Sequence, residues 1–291
     1  LRAGYCGGVT MEGIYQFLDA LLPFEWAEFA FMKNALLAVL IITPLFGLTG
    51  TMIVNNKMSF FSDALGHSAM TGIAIGVLLG VDNYLFSMLG FALLFALAIS
   101  SIIESGTSSS DTIIGVFSSA GVALGIVLLS INGGFSKYSN YLIGDILAIR
   151  PSELLMLLIV LIAVLLLWFF CFNRLMTASL NPDLAASKRI NARLYNTLFV
   201  VAIALIVTVS IKWVGILIIN SLLVLPAASA RNLAKGMRSY HGLSVLISLF
   251  SGVCGLIVSY YLGTAAGGTI VLVAAVLFFL SFIINRCRDK A

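Results

Sequence analysis

Charged residues are scarce in this chain. Asp, Glu, Lys and Arg together make up 10% of its 291 residues, whereas a typical soluble domain contains about 25%. Hydrophobic residues make up 61%, and the mean hydropathy is +1.12. So few charges cannot keep so much apolar surface in solution, which excludes a water-soluble globular protein. The composition therefore predicts an integral membrane protein.

Several functional motifs are also missing. The pattern G-x-x-x-x-G-K-[ST] does not occur, so the chain has no P-loop of its own. No G-x-S-x-G or comparable nucleophile–base arrangement supports an intramembrane enzyme. The net charge of +4 is spread over loops between apolar runs, so no nucleic-acid partner is expected. Unpaired thiols are expected because no C-x-x-C pair occurs among the four cysteines, Cys6, Cys171, Cys254 and Cys287.

Nine apolar runs approach or reach the roughly 20 residues that a bilayer-spanning helix requires. They cover residues 34–53, 63–79, 84–103, 113–131, 153–172, 195–211, 214–229, 242–261 and 269–284. The runs are continuously apolar, whereas the strands of a membrane barrel alternate between apolar and polar residues. The expected fold class is an all-α integral membrane protein with about nine transmembrane helices.

The distribution of basic residues predicts the orientation of these spans, because cytoplasmic loops carry an excess of Lys and Arg. A cytoplasmic C-terminus and an external N-terminus put eleven of the sixteen basic residues inside. These are Lys57, Arg174, Lys188, Arg189, Arg193, Arg231, Lys235, Arg238, Arg286, Arg288 and Lys290. We expect an extracytoplasmic arm over 1–28, a transmembrane domain over 29–285 and a cytoplasmic tail over 286–291.

Asp63 and His67 begin one of the shorter apolar runs. Their i,i+4 spacing puts both side chains on one face of a helix. An Asp inside a membrane helix costs about 2.5–3.5 kcal/mol on insertion scales, so such residues usually have a function. A carboxylate and an imidazole at this spacing could bind a divalent transition metal. The alternative is a hydrogen-bonded pair at a helix start, where the helix dipole also favours an acid.

Other polar residues are candidates for an ion path. Thr71 continues the face of Asp63 and His67, and the helix glycines Gly72 and Gly76 should pack against a neighbour on the opposite face. The remaining candidates are Asn220 and Ser221 in a short span, and Glu104 and Asp111 around a cytoplasmic turn. Hydrogen bonding between helices is the alternative for Asn220 and Ser221, and helix capping is the alternative for Asp111.

The longest cytoplasmic loop contains Asn181-Pro182-Asp183, a typical helix start with Asn as N-cap, Pro in the first position and an acid in the first turn. We expect a short helix over about 181–189, lying across the cytoplasmic face. It would include Leu184, Ala185 and Lys188.

Residues 30–285 resemble the permease subunits of bacterial ABC transporters for zinc, manganese or iron, most closely the zinc branch. The resemblance rests on the order of several stretches. These are Ser62-Asp63-Ala64-Leu65-Gly66-His67, Ser110-Asp111-Thr112-Ile113-Ile114-Gly115, Tyr141-Leu142-Ile143-Gly144-Asp145-Ile146-Leu147, Asn181-Pro182-Asp183-Leu184-Ala185, Val214-Gly215-Ile216-Leu217 and Leu225-Pro226-Ala227-Ala228-Ser229-Ala230-Arg231. Gly66 departs from the family pattern, in which Ser or Ala often precedes the His.

The resemblance implies a fold similar to the cobalamin-type importers and a location in the bacterial cytoplasmic (inner) membrane. It implies a second permease copy, cytoplasmic ABC ATPase subunits that dock on the 181–189 helix, and an extracytoplasmic metal-binding protein. Asp63 and His67 match the family's D-x-L-x-H element, and no covalently bound cofactor is expected. The expected cargo is Zn²⁺, with Mn²⁺ or Fe²⁺ as the alternative. A transporter or channel that works without an ATPase is the alternative from another class.

Overall fold

The computed structural model describes residues 8–21, 24–81, 83–106, 108–131, 140–180, 185 and 187–288. Within them every regular element is helical, which confirms the predicted fold class. The long helices are α1 (Gly8–Leu21), α2 (Ala30–Asn55), α3 (Phe61–Leu78), α4 (Tyr84–Glu104), α5 (Ser110–Ile131), α6 (Pro151–Leu180), α7 (Ala192–Val214), α8 (Ile216–Leu233), α9 (Met237–Leu262) and α10 (Ala266–Arg288). Short helical turns cover Glu25–Glu28, Asn140–Ile143 and Ile146–Ala148.

Helices α2–α10 correspond to the nine predicted spans, and they differ in polarity. In the described part of the chain, eight helices are long and apolar enough to cross a membrane. The ninth, α3, has 18 residues but falls outside this group because polar residues such as Asp63 and His67 lower its mean hydropathy. Most of α3 is buried by neighbouring helices. The protein therefore shields the span that is least compatible with lipid.

Close packing through glycine and serine joins α2 to α9. A Cβ added at Gly47 of α2 would lie 2.8 Å from Val245 Cα of α9, so only glycine permits this contact. The Ser244 hydroxyl donates to the Gly47 carbonyl at 2.6 Å, and the Ser248 hydroxyl donates to the Thr43 carbonyl at 2.8 Å. Small residues and hydroxyl bonds of this kind hold membrane helices together, where no hydrophobic force acts between them.

The glycine stripe of α3 also packs as the sequence predicts. A Cβ at Gly72 would lie 2.7 Å from Met88 Cα, and one at Gly76 would overlap the Ser87 side chain. Both neighbours belong to α4. The close approach fixes the rotation of α3, and the face that carries Asp63 and His67 points away from α4.

Gly215 separates α7 from α8. Its φ of +88° and ψ of 150° are incompatible with a continuing helix and are accessible almost only to glycine. Its backbone packs directly against that of Ile143 and Gly144, in the segment that precedes α6. This backbone-to-backbone contact positions the first turn of α8.

Candidate functional site

Asp63 and His67 lie on one accessible face of α3, as their spacing predicts. His67 Nε2 is 3.6 Å from Asp63 Oδ2, and the side chains are 23% and 34% exposed, respectively. This distance is longer than a hydrogen bond and within the range of an i,i+4 ion pair, so a pair at the helix start stays the alternative to a metal site. Two ligand atoms at the usual 2.0–2.2 Å from one tetrahedral metal ion are separated by roughly 3.4 Å. The pair therefore has a separation suited to chelating one ion.

The first turn of α8 supports the Asp63/His67 end of α3. The Ser62 hydroxyl donates a 2.5 Å hydrogen bond to Asn220 Oδ1, and Ser62 is fully buried. One helical turn further along α3, a Cβ added at Gly66 would lie 3.2 Å from Ile216 Cγ2. Gly66, the departure from the family pattern, therefore serves close packing on α8. Asn220 therefore bonds to Ser62, the residue next to Asp63.

Removing the Ser62–Asn220 bond should destabilise the protein modestly. We expect Ser62→Ala to cost about 1–2 kcal/mol, because Asn220 loses its donor inside the protein. Asn220→Leu should cost a similar amount, and the double variant should cost less than the sum of the two changes. Thermal unfolding of the four proteins in detergent measures this coupling. Additive losses would show that the bond contributes nothing.

The other candidates for the ion path lie in different surroundings. Thr71 is fully buried, and its hydroxyl donates to the Gly121 carbonyl of α5 at 2.7 Å. This contact favours helix packing for Thr71, so its place in an ion path stays a prediction. Ser221 is half-buried beside Asn220 on α8.

Glu104 and Asp111 lie near the turn between α4 and α5. Glu104 Oε2 forms an ion pair with Arg193 at the start of α7, at 2.9 Å from Arg193 Nε. Exposed Asp111 is in the first turn of α5. Among the described residues, no group of three or more His, Cys, Asp or Glu side chains could hold a metal ion. Glu104 and Asp111 therefore do not complete a site with Asp63 and His67 within one protomer.

The predicted cytoplasmic helix falls mostly outside the described residues, since Asn181, Pro182, Asp183 and Leu184 are not among them. Ala185 is fully buried, and its carbonyl accepts from the Ile190 amide at 2.9 Å, whereas Lys188 is exposed. The helix before this loop, α6, is fastened to its neighbours. Ser179 donates to Asn56, and Arg174 donates to the Tyr195 hydroxyl at 2.6 Å.

A polar network and a cavity that the sequence did not reveal lie at the start of α6 and the end of α7. The Glu153 carboxylate accepts from Lys212, from Trp213 Nε1 at 3.2 Å and from the Arg150 amide at 2.9 Å. An adjacent cavity of about 660 Å³ is lined by residues 141 and 143–148, by Lys212 and Trp213, and by residues 264–266. The segment that borders this cavity includes Gly144, so the cavity wall is in contact with Gly215 and the start of α8.

The chain has close relatives of known family. The profile described as "ABC 3 transport family" matches residues 28–285. The high-affinity zinc uptake system membrane protein ZnuB of Haemophilus influenzae is 34% identical over 254 residues, covering 87% of this chain and 97% of that protein. The manganese import system permease protein ScaB of Streptococcus parasanguinis is 32% identical over 277 residues, covering 95% and 97%.

Solved structures agree with this relationship. The structure of PsaBC from Streptococcus pneumoniae in complex with Fab superposes with a TM-score of 0.76 at 31% identity, covering 92% of this chain and 95% of that chain. An inward-facing metal-chelate type ABC transporter, at 15% identity and a TM-score of 0.66, shares the fold. The apolar helices and the relatives make the protein a multi-pass component of the bacterial cytoplasmic membrane. The chain belongs to the ABC 3 transport family, as a permease subunit that serves transport and is not an enzyme.

Proposed function

We propose that this permease imports zinc, and that the ion passes between Asp63 and His67. The separation and exposure of these two side chains carry the proposal, because at this separation both side chains could bind the same ion. An imidazole with a carboxylate suits zinc better than it suits manganese, which prefers oxygen ligands. The named zinc relative supports this choice, while the manganese relatives are almost as similar. Manganese is therefore the principal alternative cargo, followed by iron.

The coordination of the ion requires more than one protomer supplies. Zinc usually takes four ligands, and one chain offers two here. The exposed fraction of both side chains leaves them open to a partner. Two permease copies related by a two-fold axis would bring two carboxylates and two imidazoles together. A homodimer with the ion path at its interface thus meets zinc's usual coordination number.

The proposed assembly rests on the orientation that the distribution of basic residues predicts. With the N-terminus outside and the C-terminus inside, residues 1–28 form an extracytoplasmic arm, 29–285 form the permease domain and 286–291 form a cytoplasmic tail. An extracytoplasmic metal-binding protein delivers the ion to the outer face. ABC ATPase subunits dock at 181–189, where buried Ala185 anchors the loop and exposed Lys188 is accessible to a partner.

Metal accumulation in cells tests the cargo. Cells that lack their own zinc and manganese importers would express this permease with its ATPase and binding protein in metal-limited medium. We expect cellular zinc to rise while manganese stays unchanged, because the ligand pair favours zinc. Elemental analysis of washed cells gives both values. A selective rise in manganese would refute the cargo assignment and retain the family assignment.

The same cells distinguish an ATP-driven importer from a channel or secondary transporter. A matched strain would carry an ATPase subunit that binds the permease but does not hydrolyse ATP. Zinc accumulation should then fall to the level of cells without the permease. Undiminished accumulation in that strain would support transport without ATP.

A further inference from the structure

The arm that precedes the transmembrane domain is bonded to the first turn of α2. Asp19 of α1 forms a 2.5 Å ion pair with Lys33, and the Tyr15 hydroxyl donates to Asn34 Oδ1 at 2.5 Å. Both partners on α2 are only 8% exposed. A buried lysine at the end of a membrane helix requires a counter-charge, and α1 supplies it. Helix α1 is thus held against α2 through specific polar contacts.

The remaining surface of α1 consists of a flank of small residues with Gln16 and a flank that carries the large side chain of Phe17. At 100° per residue, Tyr15, Leu18 and Asp19 share the side that meets the protein. Gln16 is exposed on one flank of this side, together with Gly13 and Ala20. Phe17 points to the opposite flank and is 66% exposed. Ile14, Leu21 and Thr10 occupy helix positions on that same flank, so three of its four residues are apolar.

Exposed aromatic rings mark the membrane boundary beside this arm. The rings of Phe29 and Phe31 lie 5.4 Å apart, and Phe29 lies 6.1 Å from Tyr260 near the end of α9. Phe29, Phe31 and Tyr261 are 45%, 42% and 65% exposed. Aromatic residues concentrate where membrane helices meet the headgroup region. The end of α2 to which α1 is bonded therefore lies at this depth.

We infer that α1 lies along the membrane surface, with the Phe17 flank among the lipids at the boundary of headgroups and acyl chains and the Gln16 flank in water. A helix in this position has one face on protein, one on lipid and one in solvent. Around α1, the contacts with α2, the exposed Phe17 ring and the exposed Gln16 fit these three surroundings. The bonds of Asp19 and Tyr15 to α2 hold it at the depth of the aromatic rings. This inference concerns the lipid surface and does not depend on which ion the permease carries.

Two tryptophan substitutions at adjacent positions test the inference. Phe17→Trp and Gln16→Trp would each be placed in nanodiscs of ordinary or brominated phosphatidylcholine, with the emission of the parent chain subtracted. The added emission of Phe17→Trp should be about twofold lower in brominated lipid, because bromine quenches only rings that contact acyl chains. The emission of Gln16→Trp should be insensitive to bromine and quenched by iodide. Neither residue bonds to α2, so both variants should keep the fold.

Three results would overturn the inference. Equal iodide quenching of both variants would place the whole helix in water. Equal bromine quenching would bury it in the acyl chains. Iodide quenching of Phe17→Trp that disappears when the extracytoplasmic binding protein is added would make that protein, and not lipid, the partner of the Phe17 flank. Size-exclusion profiles that match the parent chain establish that each variant is folded.

Discussion

Replacement of His67 by alanine should reduce the initial rate of zinc uptake at least about 100-fold, because it removes a proposed metal ligand from each permease copy of the proposed dimer. Loss of even an outer-shell partner commonly lowers metal affinity 10–100-fold, so the loss of a ligand should cost at least as much. His67 is 23% exposed and packs only in part against its neighbours, so the fold should survive the truncation. Uptake of radioactive zinc into proteoliposomes that contain the complete transporter measures the effect.

Ser68 offers a control on the same helix. Its hydroxyl donates to the Leu65 carbonyl of its own helix at 2.7 Å, and it is fully buried. Ser68→Ala should therefore transport zinc at the wild-type rate. Both variants should reach the membrane in equal amounts and retain basal ATP hydrolysis in the complex. Normal zinc uptake by His67→Ala would make His67 a packing residue and end its assignment to the ion path.

The local features of this protein could be predicted from the sequence, since they depend on residues close together in the chain. Apolar runs of sufficient length gave the spanning helices, and i,i+4 spacing put Asp63 and His67 on one face. The separation of Gly72 and Gly76 from that face likewise follows from the helical repeat, and the structure confirms their packing on α4. In each case the geometry of one helix is enough to make the prediction.

Partners distant in sequence could not be predicted in the same way. Ser62 is 158 residues from Asn220, and nothing in either helix indicates that their side chains meet. Thr71 shows the related limit. The helical repeat predicts that Thr71 lies on the same side of α3 as His67. It does not predict that α5 packs there, where the Gly121 carbonyl accepts a hydrogen bond from Thr71. The rotation of each helix against its neighbours decides such contacts, and composition alone carries no information about it.

Gly215 should be among the least replaceable residues in the chain. An alanine there would place its Cβ over the peptide group that joins Ile143 to Gly144, whose backbone atoms cannot swing away as a side chain would. The φ of +88° and ψ of 150° add a conformational cost of about 1–3 kcal/mol. We expect Gly215→Ala to lose several kcal/mol of stability in all, since a steric overlap is added to this strain. Thermal unfolding in detergent, followed by fluorescence-detected size exclusion, would measure the loss.

A variant at Gly80 separates the steric overlap from the backbone strain. Gly80 also has a positive φ, of +66°, but an added Cβ would have no atom within 4 Å. Gly80→Ala should therefore cost only about 1–2 kcal/mol, the price of the left-handed backbone. Equal melting temperatures for the two alanine variants would show that the contact of Gly215 with the Ile143–Gly144 backbone is unimportant. A larger loss for Gly215→Ala would show that the close approach of the Ile143–Gly144 backbone leaves no room for a side chain at the start of α8.

Gly215→Ala should also impair transport by the molecules that remain folded. Gly215 precedes the turn of α8 that carries Ile216 and Asn220, and these residues pack on Gly66 and bond to Ser62. A displaced α8 therefore disturbs α3 beside Asp63. Those Gly215→Ala molecules that still reach the membrane should take up zinc slowly, whereas Gly80→Ala should take it up at the wild-type rate. Normal zinc uptake per folded molecule of Gly215→Ala would mean that the proposed ion site keeps its geometry without support from α8.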